Sequence, residues 1–191
     1  MVDSLARRHT CTVIPEFFVD YPGYFLSLTV NSKEALKRAS IEWVLVQYVK
    51  KEYAIRRAEG LVICDRSPLD LIAYSLAFGS KIYAGTVNEM KRIDWSPGRL
   101  ILLLAPKPDE LLRRIRARDH LDSSSSIKTR NELVAPLEKE FRKLYGIINA
   151  RQVSTDCPLQ DIVNEVEAVL QEPYAPSDIN SVMKTLPSLL H

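Results

Sequence analysis

The sequence predicts a three-layer α/β/α fold, a parallel sheet with helices on both faces. Two observations carry this. The short apolar runs Leu61 to Cys64 and Leu100 to Leu104 have the pattern of strands buried on both faces. Segments of helical periodicity separate such runs, so strand and helix alternate along the chain. A third observation concerns function. Charged residues stand directly behind the strand-like runs, Glu16 after Cys11 to Ile14 and Asp65-Arg66 after Leu61 to Cys64. Parallel sheets bind ligands beyond the carboxyl ends of their strands.

Taken in order, Val2 to His9 reads as the last turns of a helix, and Cys11 to Ile14 as a short strand that stops at Pro15-Glu16. Phe17 to Thr29 is aromatic and contains the turn Tyr21-Pro22-Gly23. Asn31, with Glu34 as its capping-box partner, predicts a long helix to about Ala58. Leu36, Trp43 and Val46 fall on its inward face, and Lys33, Lys37, Lys50, Lys51 and Arg57 on its wet face. Gly60 ends it. After the strand Leu61 to Cys64, Ser67 fits an N-cap, Pro68 the first helical position and Asp70 the capping acid of a helix to Phe78.

A weaker helix follows over Val87 to Ile93, and Ser96-Pro97-Gly98 turns the chain into the strand Leu100 to Leu104. Pro108 opens a helix with Leu111, Leu112 and Ile115 on its apolar side, and Ser123 to Ser126 is a flexible polar run. Glu132 to Asn149 returns to helix, and Gln152 to Ser154 is a short strand. Pro158 opens a last helix through Leu170, with Ile162, Val166 and Val169 inward. Residues 1–171 read as one domain, and 172–191 as a Pro-containing tail outside the core.

A chain of 191 residues is long enough to bury one core, and 46% hydrophobic with 26% charged residues is ordinary for a soluble globular protein. The formal net charge of +2 gives no whole-chain field toward nucleic acid or an anionic membrane, so neither is expected as a partner. The longest apolar run has six residues, against about 20 for a membrane span. The N-terminus is polar and basic and lacks the apolar stretch of a signal peptide. Cys11, Cys64 and Cys157 are odd in number and lack metal-ligand spacing, so reduced, buried thiols are expected in a cytoplasmic protein.

Several residues could carry chemistry. Asp65 can hold Mg²⁺ through water, and Arg66 can contact phosphate with both guanidinium branches. The same two residues read equally as a solvated pair beside a helix cap. Arg113, Arg114, Arg116 and Arg118 pack four arginines into six positions before the flexible serine run. They suit either a mobile phosphate clamp or a solvated basic face. Glu16 suits a general base toward a substrate hydroxyl, an arginine partner or a surface acid. Phe17 could stack on a nucleobase, and Trp43, Gln47 and Tyr48 could line its pocket; packing is the competing reading for each.

Ile14-Pro15-Glu16, Asp65-Arg66-Ser67, Arg113 to Asp119 and Ser154-Thr155-Asp156-Cys157-Pro158-Leu159 occur in this order. Together they resemble the thymidylate kinase and deoxynucleoside kinase branch of the P-loop kinases, over roughly residues 3 to 170. The NadR-like P-loop ATPase/kinase group is also similar. The resemblance implies ATP-dependent phosphoryl transfer to a nucleoside or nucleotide, with ATP and Mg²⁺ as cofactors and a homodimer as a common assembly. It implies that Glu16 acts on the substrate hydroxyl, and that Asp65 and Arg66 serve Mg²⁺ and the phosphoryl group. It gives Arg114, Arg116 and Arg118 the donor phosphates, and Ser154, Asp156 and Pro158 the loop near adenine. Phe17 and Gln47 fall to the acceptor.

The departure is the phosphate loop. The family carries an N-terminal strand, G-x-x-x-x-G-K-[ST] and a helix. Here Val2 to Arg8 looks like the middle of that helix, and the motif occurs nowhere in the sequence. The expectation is therefore an N-terminally shortened chain without the first, central strand, impaired in transfer. That strand's absence would leave its two flanking strands about 10 Å apart, twice the usual spacing. The alternative is a non-catalytic relative that binds nucleotide or a protein.

Overall fold

A computed structural model describes residues 1–20, 22, 33–77, 84–104, 137–173 and 175–189. In order these form α1 (Val2–Ala6), β1 (Cys11–Ile14), α2 (Glu34–Arg57), β2 (Leu61–Cys64), α3 (Pro68–Ala77), α4 (Ala84–Arg92), β3 (Ile101–Leu104), α5 (137–147), β4 (Arg151–Ser154), α6 (Leu159–Gln171) and α7 (Ile179–Leu189). The described residues thus confirm alternating strands and helices. The segments expected at 108–126, with Arg114, Arg116 and Arg118, lie outside the described residues, as does Asn31.

The strands pair in parallel, as the alternation of strand and helix predicts, but the described strands do not form one sheet. Among the described residues β1 pairs with β2, Cys11 opposite Leu61 through Ile14 opposite Cys64. Separately, β3 pairs with β4, Ile101 opposite Arg151 through Leu104 opposite Ser154. β2 is not buried on both faces as its composition implied: Leu61 and Cys64 are exposed. With one hydrogen-bonded neighbour in place of two, such a strand keeps more of its surface accessible. The three cysteines are free, but none is fully buried.

Apolar layers hold the two sheets in one body. On one side Leu5 of α1 packs with Val153 of β4 and with Ile162, Val163 and Val166 of α6; Ile63 of β2 and Ile101 and Leu103 of β3 join them. On the other side lies the larger core, where Ile41, Leu45 and Tyr48 of α2 meet Leu69 and Ile72 of α3, Trp95, Leu102 and Leu144. Burying each such side chain is worth about 1.5–3 kcal/mol.

Two sequence expectations about this core are corrected. Of the three residues expected inward on α2, Leu36 and Val46 are exposed and Trp43 is half-buried, while Lys51, expected on the wet side, is only 2% exposed. Helix α2 begins at Glu34 behind Lys33, without a side-chain cap. Nor does the stretch after Glu172 lie outside the core. Ile179, Val182 and Met183 of α7 are buried in the larger cluster. Their spacing of three and one places them on one helical face, which outweighs the prolines before them. The Asn180 side chain fixes the position by accepting from the Trp95 amide at 3.0 Å and donating to its carbonyl at 3.1 Å.

Candidate functional site

The site is built on the turn from β2 into α3. Ser67 caps α3: its hydroxyl accepts from the Leu69 amide at 3.2 Å. Pro68 occupies the first helical position, where no amide hydrogen is needed. The Asp70 carboxylate accepts the Ser67 backbone N–H in return, which completes a capping box. This part of the sequence reading holds residue for residue.

Before the cap, Arg66 takes a left-handed backbone with φ of 72°. A non-glycine residue there is strained by about 1–3 kcal/mol and persists only where its surroundings fix it. Three contacts do so. The Asp65 amide donates to the Ile14 carbonyl at 2.9 Å, tying the turn to β1. The Lys51 Nζ of α2 donates to the Asp65 carbonyl. The Arg66 guanidinium donates to the Tyr74 hydroxyl at 3.2 Å and lies over that ring.

The strained turn aims Arg66 at two carboxylates. Its Nε lies 3.5 Å from Glu16 and its Nη1 3.7 Å from Asp70. Glu16 thus arrives from the end of β1 and Arg66 from the end of β2, as the parallel pairing of those strands dictates. Burial disfavours the Arg66 charge, but Tyr74, Asp70 and Glu16 outweigh it and raise its pKa. The Arg66–Glu16 pair is partly exposed, and such pairs contribute only about 0–1 kcal/mol to stability.

Beneath the turn lies a buried polar layer. Asp70 is 4% exposed and accepts from the Tyr145 hydroxyl at 2.5 Å; that hydroxyl is also 2.8 Å from Ser67 Oγ. Burial raises the Asp70 pKa to about 6, against the opposing pull of Arg66 and the Tyr145 hydrogen bond. Burial likewise raises Tyr145 and Tyr48. It lowers Lys51, with Cys64, Asp65, Asp70 and Glu16 pulling the other way.

Gln47, one turn before Lys51 on α2, is 2% exposed, and its Oε1 has no hydrogen-bond partner among the described residues. A buried acceptor left so costs about 1–3 kcal/mol. Phe17 packs edge-on against Trp43, ring centroids 5.0 Å apart. A cavity of about 180 Å³ opens between Arg66 and Tyr74 on one side and Leu102 to Leu104, Leu137, Glu138 and Phe141 on the other. It runs from the end of β2 to β3.

Ser154 ends β4 of the other sheet, and Asp156 and Pro158 lie in the turn that follows it. The Ser154 hydroxyl accepts from the Asp156 amide at 3.2 Å, and Pro158 precedes the first turn of α6. The Thr155 hydroxyl donates to the Leu104 carbonyl at 2.7 Å, which joins this turn to the end of β3. Glu16, Asp65 and Arg66 therefore form one group and Ser154 to Pro158 another. Sequence reasoning read Asp70 as a capping acid alone and missed the part of Lys51, Tyr74 and Tyr145 in the site. The available signal was the spacing Gln47–Lys51, two polar residues one turn apart on a helix that enters the site.

Among the described residues no group of three or more His, Cys, Asp or Glu could hold a metal ion. Asp65 is the carboxylate beside Arg66 that could bind Mg²⁺ through water. No described helix is long and apolar enough to cross a membrane.

No protein-family model matches the sequence. No curated protein matches it either. The fold is similar to that of a solved structure, deoxyadenosine kinase from M. mycoides with bound dATP. The two share 12% identity at a TM-score of 0.63, over 89% of this chain and 91% of that one. The chain is thus a helix-rich α/β protein with short parallel sheets, similar in fold to that solved structure.

Proposed function

We propose that this chain is a nucleoside-kinase-like protein whose described residues form the acceptor side of a site for ATP-dependent phosphoryl transfer. The observation that carries this is the convergence of Glu16 and Arg66, 3.5 Å apart, at the ends of paired parallel strands. In this reading Glu16 accepts the proton of the substrate hydroxyl, and Arg66 holds the phosphoryl oxygens. The orphaned Oε1 of Gln47 fits a donor N–H of a nucleobase, and Phe17 and Trp43 give the aromatic wall beside it. Mg²⁺ bound with ATP would neutralise phosphate charge, and Asp65 would hold it through a water. Ser154, Asp156 and Pro158 would border the adenine of ATP, and Arg114, Arg116 and Arg118 its phosphates. The reading carries with it a cytoplasmic location.

The absence of G-x-x-x-x-G-K-[ST] from residues 1–191 favours slow transfer. It also favours a second reading, a non-catalytic nucleotide-binding relative. Calorimetry with nucleosides and nucleoside monophosphates tests the acceptor site, and Mg²⁺-dependent ADP formation separates the two readings. Binding of an acceptor that Arg66→Lys and Gln47→Met both weaken is expected. Absence of binding by every nucleoside and nucleotide tried would end both readings. Rapid ADP formation would end the second.

A further inference from the structure

Arg66 is engaged through two of its three guanidinium nitrogens. Nε faces Glu16 at 3.5 Å; Nη1 donates to the Tyr74 hydroxyl at 3.2 Å and faces Oδ2 of Asp70 at 3.7 Å. Among the described residues no hydrogen bond or ion pair reaches Nη2. The side chain lines the cavity between the end of β2 and β3. An anion arriving there finds one branch open, whereas a phosphoryl group is held best by a fork of two parallel N–H bonds. Asp70 is the buried carboxylate that occupies the second branch.

The hydrogen bonds around Asp70 suit both of its protonation states. Its Oδ1 lies 2.5 Å from the Tyr145 hydroxyl, which lies 2.8 Å from Ser67 Oγ. With the carboxylate ionised, Ser67 donates to Tyr145 and Tyr145 to Oδ1. With Oδ1 protonated, the chain runs backwards: Oδ1 donates to Tyr145 and Tyr145 to Ser67. Only hydroxyl hydrogens move, because each hydroxyl can donate or accept. Burial raises the Asp70 pKa to about 6, so both states lie within reach of neutral pH. The other groups that face Asp70 are Tyr48 and Lys51 of α2 and Cys64 of β2, with Glu16 beyond Arg66 at the end of β1.

We propose that Asp70 couples anion binding at Arg66 to proton uptake: protonation at Oδ1 frees Nη1, and Arg66 then holds a phosphoryl or sulfate dianion with Nη1 and Nη2 together. The proposal rests on the reading of Arg66 as the holder of phosphoryl oxygens. Asp70 is a positioning residue, since it touches Arg66 and not the ligand. The sign of the linkage follows from charge. A dianion beside Asp70 repels its carboxylate and takes the Arg66 charge that favoured ionisation, so the bound state holds the proton more tightly. Binding draws that proton from solvent, and affinity rises as pH falls.

Inorganic sulfate is the probe, because it does not titrate near neutral pH. The ¹³C resonance of Arg66 Cζ, assigned by its loss in Arg66→Met, reports binding at this side chain alone, with ionic strength held constant by chloride. Sulfate affinity should rise about 5-fold from pH 8 to pH 6 and level off below, where unliganded Asp70 is already protonated. Asp70→Asn, which cannot ionise, should bind sulfate about 10-fold more tightly than the parent at pH 8 and show a flat profile. Tyr145→Phe removes a donor to the carboxylate, so the rise should begin at higher pH. An affinity independent of pH in the parent overturns the proposal, as does a rise kept in Asp70→Asn, which Lys51 would then supply. An Asn variant that binds no more tightly than the parent at pH 8 overturns it too. No response of Arg66 to sulfate at any pH ends the proposal together with the phosphoryl role of Arg66.

Discussion

The Nζ of Lys51 donates to the carbonyl oxygen of Asp65, so a buried cation on α2 holds the turn in which Arg66 takes its left-handed backbone. Burial lowers the Lys51 pKa, and its hydrogen bond goes to backbone, not to a carboxylate. Lys51 is a positioning residue. Replacing it with Met keeps the volume, ends the cost of burying a charge and removes a charged hydrogen bond of about 1.5–3 kcal/mol. These opposing terms should leave stability within about 1.5 kcal/mol of the parent in urea titration. Nucleoside affinity should fall at least 10-fold by calorimetry as Arg66 loses its setting. Unchanged affinity would exclude the positioning role.

Glu16 and Arg66 should separate stability from function. Their exposed contact predicts a loss below about 1 kcal/mol for Glu16→Gln. As a general base Glu16 should be worth about 10²–10⁴-fold in transfer rate, read from single-turnover ADP formation at saturating nucleoside. A Glu16→Gln variant that transfers as fast as the parent would remove Glu16 from the chemistry.

Gln47 gives the opposite sign for stability. Gln47→Met removes a buried carbonyl oxygen that has no donor, so the unliganded protein should gain about 1 kcal/mol in urea titration. Nucleoside affinity should fall at the same time. A stabilised variant with full affinity would leave the orphaned atom without a ligand to explain it.

Asp70 makes stability depend on pH. Its folded pKa of about 6 lies above the ordinary value of 3.8. The folded state therefore binds the proton more tightly than the unfolded chain, and this contribution is full below pH 3.8 and lost as pH rises through 6. The difference of about two units corresponds to about 3 kcal/mol. Asp70→Asn keeps an oxygen for Tyr145 and the Ser67 amide but cannot ionise. Urea titrations from about pH 5 to 8 should show the parent losing stability with rising pH and the Asn variant a flatter profile. Equal slopes would mean that Asp70 ionises freely in the fold.

What the sequence made legible was local. Ser67, Pro68 and Asp70 sit within four consecutive positions, and their capping geometry needs no distant partner. The ends of β1 and β2 were legible for the same reason, and with them Glu16 and Arg66. The inward face of α2 was not, because Ile41, Leu45 and Tyr48 on one side and Val46, Val49 and Tyr53 on the other are equally apolar. Which side meets the core depends on α3 and β3, far along the chain. Lys51 was misplaced because a lysine ordinarily faces water, and its burial rests on its contacts with the Asp65 carbonyl and the Tyr48 ring. The apolar face of α7 was present in the sequence but was overshadowed by the prolines before it.

The division of the strands into two pairs has a consequence for how the molecule opens. In a continuous sheet, backbone hydrogen bonds spread cooperativity across every strand. Here the described β1–β2 and β3–β4 ladders are joined through side-chain layers and helices instead. The two ladders should therefore exchange their amide hydrogens as separate cooperative units. The seam between them, where the cavity lies, is the natural line along which native-state fluctuations part the structure.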